Sequence, residues 1–189
     1  MTGAVLAGGK SRRMGFNKAL IKIDDRTIIE KNVGLLKKEF DEVFIVANEV
    51  LLYEHLSTLI YSDLIKGAGS LGGVFTALFH AKSDYAFVVA CDMPFLSPEA
   101  IKKMIKSADG SDCIVPFIGG KLHPMHTLYS KKCLKPIKTM IEEGNLRITD
   151  LFEKVRVKRL TEEHFKGIPI IESVENVNTQ DDLTRIGHK

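Results

Sequence analysis

Short apolar runs alternate along this chain with longer segments whose apolar residues recur every three or four positions. That alternation dictates strands separated by crossover helices. Strands are expected at residues 4–7, 43–47, 85–90 and 113–117, and their Val, Ile and Phe content suits burial on both faces of a largely parallel sheet. Helical spacing marks residues 27–40, 50–59, 71–82 and 98–108. Ser97-Pro98-Glu99 gives the last of these a hydroxyl cap, a proline at the first helical position and an acid in the first turn. Further along, the pattern predicts a helix over 132–143, a strand near 155–160 and a short final helix opened by Thr179. The expected fold class is α/β, a single three-layer domain over residues 1–189 with a Rossmann-like, mostly parallel sheet and helices on both faces. Ligands of such sheets sit at the carboxyl ends of the strands, so functional residues are sought there.

Composition narrows the function classes. A net charge of +3, with Lys and Arg spread along the chain, does not imply bulk nucleic-acid binding, yet suits polyanionic ligands such as nucleoside triphosphates. Cys91, Cys113 and Cys133 show no CxxC or Cys/His spacing and read as reduced thiols of a cytoplasmic protein. The first fifteen residues lack a charged region before their apolar stretch, which Gly8 and Gly9 interrupt, so neither a signal peptide nor a membrane anchor is expected.

Two places carry chemistry. The segment after the first strand, residues 8–18, combines Gly8, Gly9 and Gly15 with Arg12, Arg13 and Lys18. Glycines let backbone N–H groups approach a ligand closely and the cations add fixed charge, a combination that suits a triphosphate; taken singly, these residues would read as a basic surface loop. Residues 4–11 nearly spell a P-loop, but the residues that should form that loop are mostly the strand itself, so the match is accidental. The second place is Cys91-Asp92-Met93-Pro94, at the end of the most apolar strand. A carboxylate there faces the ligand crevice and offers Mg²⁺ a hard oxygen; the plain alternative is a turn residue before Pro94.

Leu6-Ala7-Gly8-Gly9, Ser11, Arg13-Met14-Gly15 and Lys18 resemble the LAGGxSxRMGxxK signature of the MobA family of molybdenum cofactor guanylyltransferases, among the wider nucleotidyltransferases of GlmU and IspD type. Gly69–Gly73 is similar to the family's GPLAG, Cys91–Pro94 to its CDxP, His123-Pro124 to its HP, and Asn176–Thr179 to its NVNTP. Ser70 and Gly72 depart from GPLAG, which predicts a looser loop, and Gln180 replaces the last proline. The resemblance implies that Leu6, Ala7, Gly8 and Gly9 line a guanine nucleotide site together with Asn48 and Asp63. Asn48 would otherwise cap the segment from Val50, and Asp63 would be a surface loop acid. Glycine at position 8, where CTP-using relatives read LAAG, favours the larger purine.

By the same resemblance Asp92 holds Mg²⁺, Arg13 and Lys18 hold the β- and γ-phosphates, and His123, Arg147, Asn176 and Asn178 face the acceptor. His123 and Arg147 have plain alternatives as a turn histidine and a solvated helix residue, and Thr179 with Asp182 forms a capping box. The implied reaction moves GMP from GTP to the terminal phosphate of molybdopterin; molybdenum-insertion proteins are implied partners by resemblance only. Other phosphorylated acceptors remain open: cobinamide phosphate, phospholactate, a sugar phosphate or the cytosine-type cofactor. So do a nucleotide-binding regulator, which would not need both Lys18 and Asp92, and a P-loop NTPase, which would release phosphate without an acceptor.

Overall fold

The computed structural model describes residues 1–8, 17–177 and 182. In chain order its strands are β1 (Thr2–Leu6), β2 (Lys22–Ile23), β3 (Arg26–Thr27), β4 (Glu42–Val46), β5 (Leu59–Tyr61), β6 (Tyr85–Ala90), β7 (Cys113–Ile118), β8 (Lys121–Leu122), β9 (His126–Ser130) and β10 (Val157–Leu160). Its α-helices are α1 (Ile28–Glu39), α2 (Gly69–His80), α3 (Pro98–Lys106), α4 (Leu134–Glu142) and α5 (Ile170–Ser173). The main sheet runs β10-β7-β9-β6-β1-β4-β5, with β8 pairing on β7 and β2-β3 forming a separate hairpin. β1 pairs parallel with β4 and β6, β4 with β5, and β7 with β10, whereas β9 runs antiparallel between β6 and β7. This is the expected mostly parallel α/β sheet.

Alternate strand residues feed two cores. Val5, Ile45, Phe87 and Val89 pack with α1 and α3 through Ile29, Val33, Ile101 and Met104. Ala4, Leu6, Phe44, Val46 and Val88 pack on the other face with α2 and α4 through Leu71, Leu78, Ile137 and Met140. Such two-sided burial explains why these strands read as continuous apolar runs. Thr27 begins α1 with a complete capping box to Glu30, and the Ser97 hydroxyl accepts from the Ala100 amide at the start of α3, as its sequence signal predicts.

Several elements differ from expectation. Residues 50–59 form no α-helix but two 3-10 turns, Val50–Leu52 and Glu54–Leu56, closed by Ser57 in the left-handed region (φ 47°). Leu59 must be extended to pair with Phe44, which leaves too little chain to reverse direction through a regular helix. Leu51 and Leu59 stay largely exposed while Tyr53 is buried and Leu56 packs partly against the core, and Phe79 of α2 is 58% exposed. β9 goes unread in the sequence because its core position is filled by His126, Thr127 and Ser130 as well as Leu128 and Tyr129. The helix expected at Thr179 lies outside the described residues.

The predicted loosening around Gly72 is reversed. A Cβ at Gly72 would lie 2.8 Å from Ala68 Cβ and 3.0 Å from the Ile65 carbonyl, and one at Gly73 would lie 3.0 Å from Leu6 Cδ1. Glycine here lets α2 sit against both the preceding loop and the end of β1. Gly72→Ala should therefore lower stability by about 1–3 kcal/mol, because the crowding atoms include backbone that cannot rotate away. Urea unfolding checks this, and an unchanged midpoint would show that the loop yields.

Candidate functional site

The connections out of β1 determine where a ligand can bind. The chain leaves β1 through α1 on one face to reach β4 and then β5, and returns through α2 on the other face to β6, on the opposite side of β1. That reversal opens a crevice at the carboxyl ends of β1 and β6. Leu6 stands opposite both Val46 and Ala90, and the ladder continues past the strands: Ala7 N donates to Val46 O, Cys91 N to Leu6 O and Ala47 N to Tyr61 O. Ala7, Gly8, Asn48, Asp63 and Asp92 consequently emerge along one edge.

On the β6 side, Asp92 is gripped by three groups. Asn176 Nδ2 donates to its Oδ1 at 2.6 Å, Lys18 Nζ stands 3.9 Å from its Oδ2, and the Val177 amide donates to its carbonyl at 2.9 Å. Burial pushes the carboxyl above its usual range, opposed by the Asn176 hydrogen bond and the Lys18 charge. Its side chain keeps 20% exposure, so one face stays open toward the crevice. On the β4–β5 side, Asn48 and Asp63 bind each other reciprocally, Asn48 Nδ2 to Asp63 Oδ2 at 2.8 Å and Asp63 N to Asn48 Oδ1 at 3.1 Å. Asn48 is thus committed to Asp63, and the turn from Val50 has no side-chain cap. A Cβ on Gly8 would lie 3.6 Å from Asp63 Oδ2, so the glycine opens directly onto that carboxylate.

Sequence reasoning did not single out the pair that secures Lys18. Asn17 caps the short turn Lys18–Leu20 through its Oδ1, and its Nδ2 donates to the hydroxyl of the buried Tyr53 at 2.8 Å. An Asn just before the lysine was a capping signal; its partner is 36 residues away and carries none. His123 sits in the turn before β9, with Nε2 3.2 Å from the Ile118 carbonyl, at the same sheet edge as Met125, whose carbonyl accepts from Ala90 N. Arg147 is exposed, its guanidinium 3.8 Å from the Asp150 carboxylate. Gly9, Arg13 and Asn178 lie outside the described residues.

The donor set suits one small hard cation. Mg²⁺ takes one or two carboxylates and fills its other positions with water and phosphate oxygens. Asp92 offers such a carboxylate at the mouth of the crevice, and the described residues contain no group of three or more His, Cys, Asp or Glu that could form an all-protein cage.

Residues 3–159 match the family model of the MobA-like NTP transferase domain. A probable molybdenum cofactor guanylyltransferase of Pelotomaculum thermopropionicum is 38% identical over 185 residues, covering 97% of this chain and 90% of the relative. A molybdenum cofactor guanylyltransferase of Desulfosudis oleivorans is 36% identical over 188 residues, covering 98% and 93%. The crystal structure of molybdopterin-guanine dinucleotide biosynthesis protein A from Archaeoglobus fulgidus superposes with a TM-score of 0.84 at 30% identity, covering 100% of this chain and 97% of that one.

The Asn17–Tyr53 tether yields a direct test. Tyr53→Phe keeps the buried ring but removes the hydroxyl that holds Asn17, so nucleoside triphosphate affinity should fall about fivefold, the worth of one such hydrogen bond. Isothermal titration measures this; unchanged affinity would mean that the tether does not help position Lys18.

Proposed function

This chain belongs to the MobA-like NTP transferase domain family, and on that premise we propose that it transfers GMP from GTP to the terminal phosphate of molybdopterin and releases pyrophosphate. The observation that carries the reading is Asp92, a half-buried carboxylate at the crevice where the sheet reverses, held between Lys18 and Asn176. The names of its relatives support the guanine nucleotide and the molybdopterin acceptor.

The attacking group is an acceptor phosphate oxygen, already anionic, so no general base is required. The protein's task is positioning and charge neutralisation. Asp92, with Asn176 orienting its carboxylate, would hold Mg²⁺. When bound, that ion would offset charge on the reacting phosphates. The Lys18 ammonium, with Arg13, takes the β- and γ-phosphates and stabilises the departing pyrophosphate. At the other end of the crevice the Asp63 carboxylate, fixed by Asn48, accepts from the paired N–H donors of a guanine edge, and Gly8 leaves room for the purine. Cytosine offers no such pair of donors. His123, Arg147, Asn176 and Asn178 are assigned to the acceptor side. The free thiols Cys91, Cys113 and Cys133 support a reducing, cytoplasmic setting. Among the described residues no helix is long and apolar enough to cross a membrane.

Pyrophosphate release from GTP or CTP, with and without molybdopterin, tests the assignment. Release should require GTP and the acceptor, stop with EDTA and return with Mg²⁺. Asp92→Asn should lower kcat by about 10²-fold or more. Asp63→Asn should erode discrimination against CTP while leaving kcat with saturating GTP near the native value. Undiminished turnover in Asp92→Asn would sink the site assignment, and a preference for CTP would overturn the base assignment.

A further inference from the structure

Behind the site, Ser97, His126 and Ser173 meet in a polar knot that the reaction does not use directly. They come from the start of α3, from β9 and from α5, and all are buried, His126 and Ser173 completely. Ser97 N donates to Ser173 Oγ at 2.9 Å, and His126 Nε2 lies 2.9 Å from the same oxygen. Burial keeps the imidazole neutral, pushing its pKa down to about 4. The Ser173 oxygen takes the Ser97 amide and either donates to a bare His126 Nε2 or accepts from its protonated form. In either tautomer the buried Nδ1 has no hydrogen-bond partner among the described residues. The ring is held in place edge-on against Phe87, with centroids 5.1 Å apart. A core that tolerates an unmatched polar atom gains something else from the residue.

The gain lies downstream. α5 is only four residues long, too short for its own hydrogen bonds to fix it in place. Three residues beyond Ser173, Asn176 reaches Asp92 Oδ1, and the next amide, Val177 N, binds the Asp92 carbonyl. The side chains of Val174 and Val177 are buried, so segment 173–177 is pinned at the knot and at the carboxylate, with apolar contacts between. We propose that Ser173, oriented by His126, is a positioning residue that sets the register of this segment and so places Asn176 against the Asp92 carboxylate during GMP transfer. This rests on the assignment of Asp92 to the reaction.

Ser173→Ala removes one oxygen and adds no bulk, and takes from the Ser97 amide and the His126 ring their shared partner. In the full chain with Mg²⁺, GTP and molybdopterin, kcat should fall about fivefold while KM for GTP changes less than about twofold. Amide hydrogen exchange at Val177 should accelerate in the same variant without nucleotide or metal. The distinguishing readout is a double-mutant cycle: Ser173→Ala should cost nothing further in an Asn176→Ala background, because the effect passes through Asn176. A lower melting temperature with unchanged kcat and unchanged exchange at Val177 would overturn the proposal, leaving the knot a structural feature alone. Effects that multiply in the double variant would also overturn it. Full turnover in Asp92→Asn, measured separately, would overturn the site assignment and this proposal together.

Discussion

The parallel ladder around β1 is the constraint on which the site depends. Because Leu6 is in register with both Val46 and Ala90, three chain segments distant in sequence leave the sheet at one level and on adjacent lines. The hydrogen bonds from Ala7 and Cys91 carry that register one residue beyond the strands. Slipping either pairing by one residue would send Asp92 or Asn48 toward the opposite face. The buried alternation of Val5, Leu6, Val88 and Val89 between two cores forbids such a slip, so the hydrophobic effect fixes where the charged groups stand.

Asp92 shows how the two levels meet. An unaccompanied carboxylate in that position would be costly, and burial does push its pKa upward. Lys18 and Asn176 oppose the shift from two sides, yet neither covers the carboxylate fully. The group is thus held in place but incompletely compensated, an arrangement that welcomes a further cation.

Much of this was legible in the sequence where one physical signal dominated. Central strands buried on both faces read directly as apolar runs, and the cap expected at Ser97 appears in the structure. β9 escaped because Thr127, Ser130 and the Nε2 side of His126 find hydrogen-bond partners inside the core, which hydropathy cannot distinguish from a surface turn. Residues 50–59 carried helical spacing, but pairing of β5 with β4 overrode it. Near the crevice, Asp92 was legible from its place after β6, and Lys18 from the charge and glycine content of the segment after β1. The reciprocal bonding of Asn48 with Asp63, and of Asn17 with Tyr53, depends on loops brought together only by the finished sheet.

The reversed direction of β9 has a consequence for how such a fold can diversify. Every neighbour that runs with β1 offers the crevice the residues that follow it, whereas β9 offers those that precede it, the turn containing His123 and Met125. That turn can be lengthened or recoloured without altering the exits of β1, β4 and β5. The scaffold therefore separates into a part fixed by the exits of the parallel strands and an exchangeable turn beside it, so under the proposed function a new acceptor could be accommodated without rebuilding the nucleotide side.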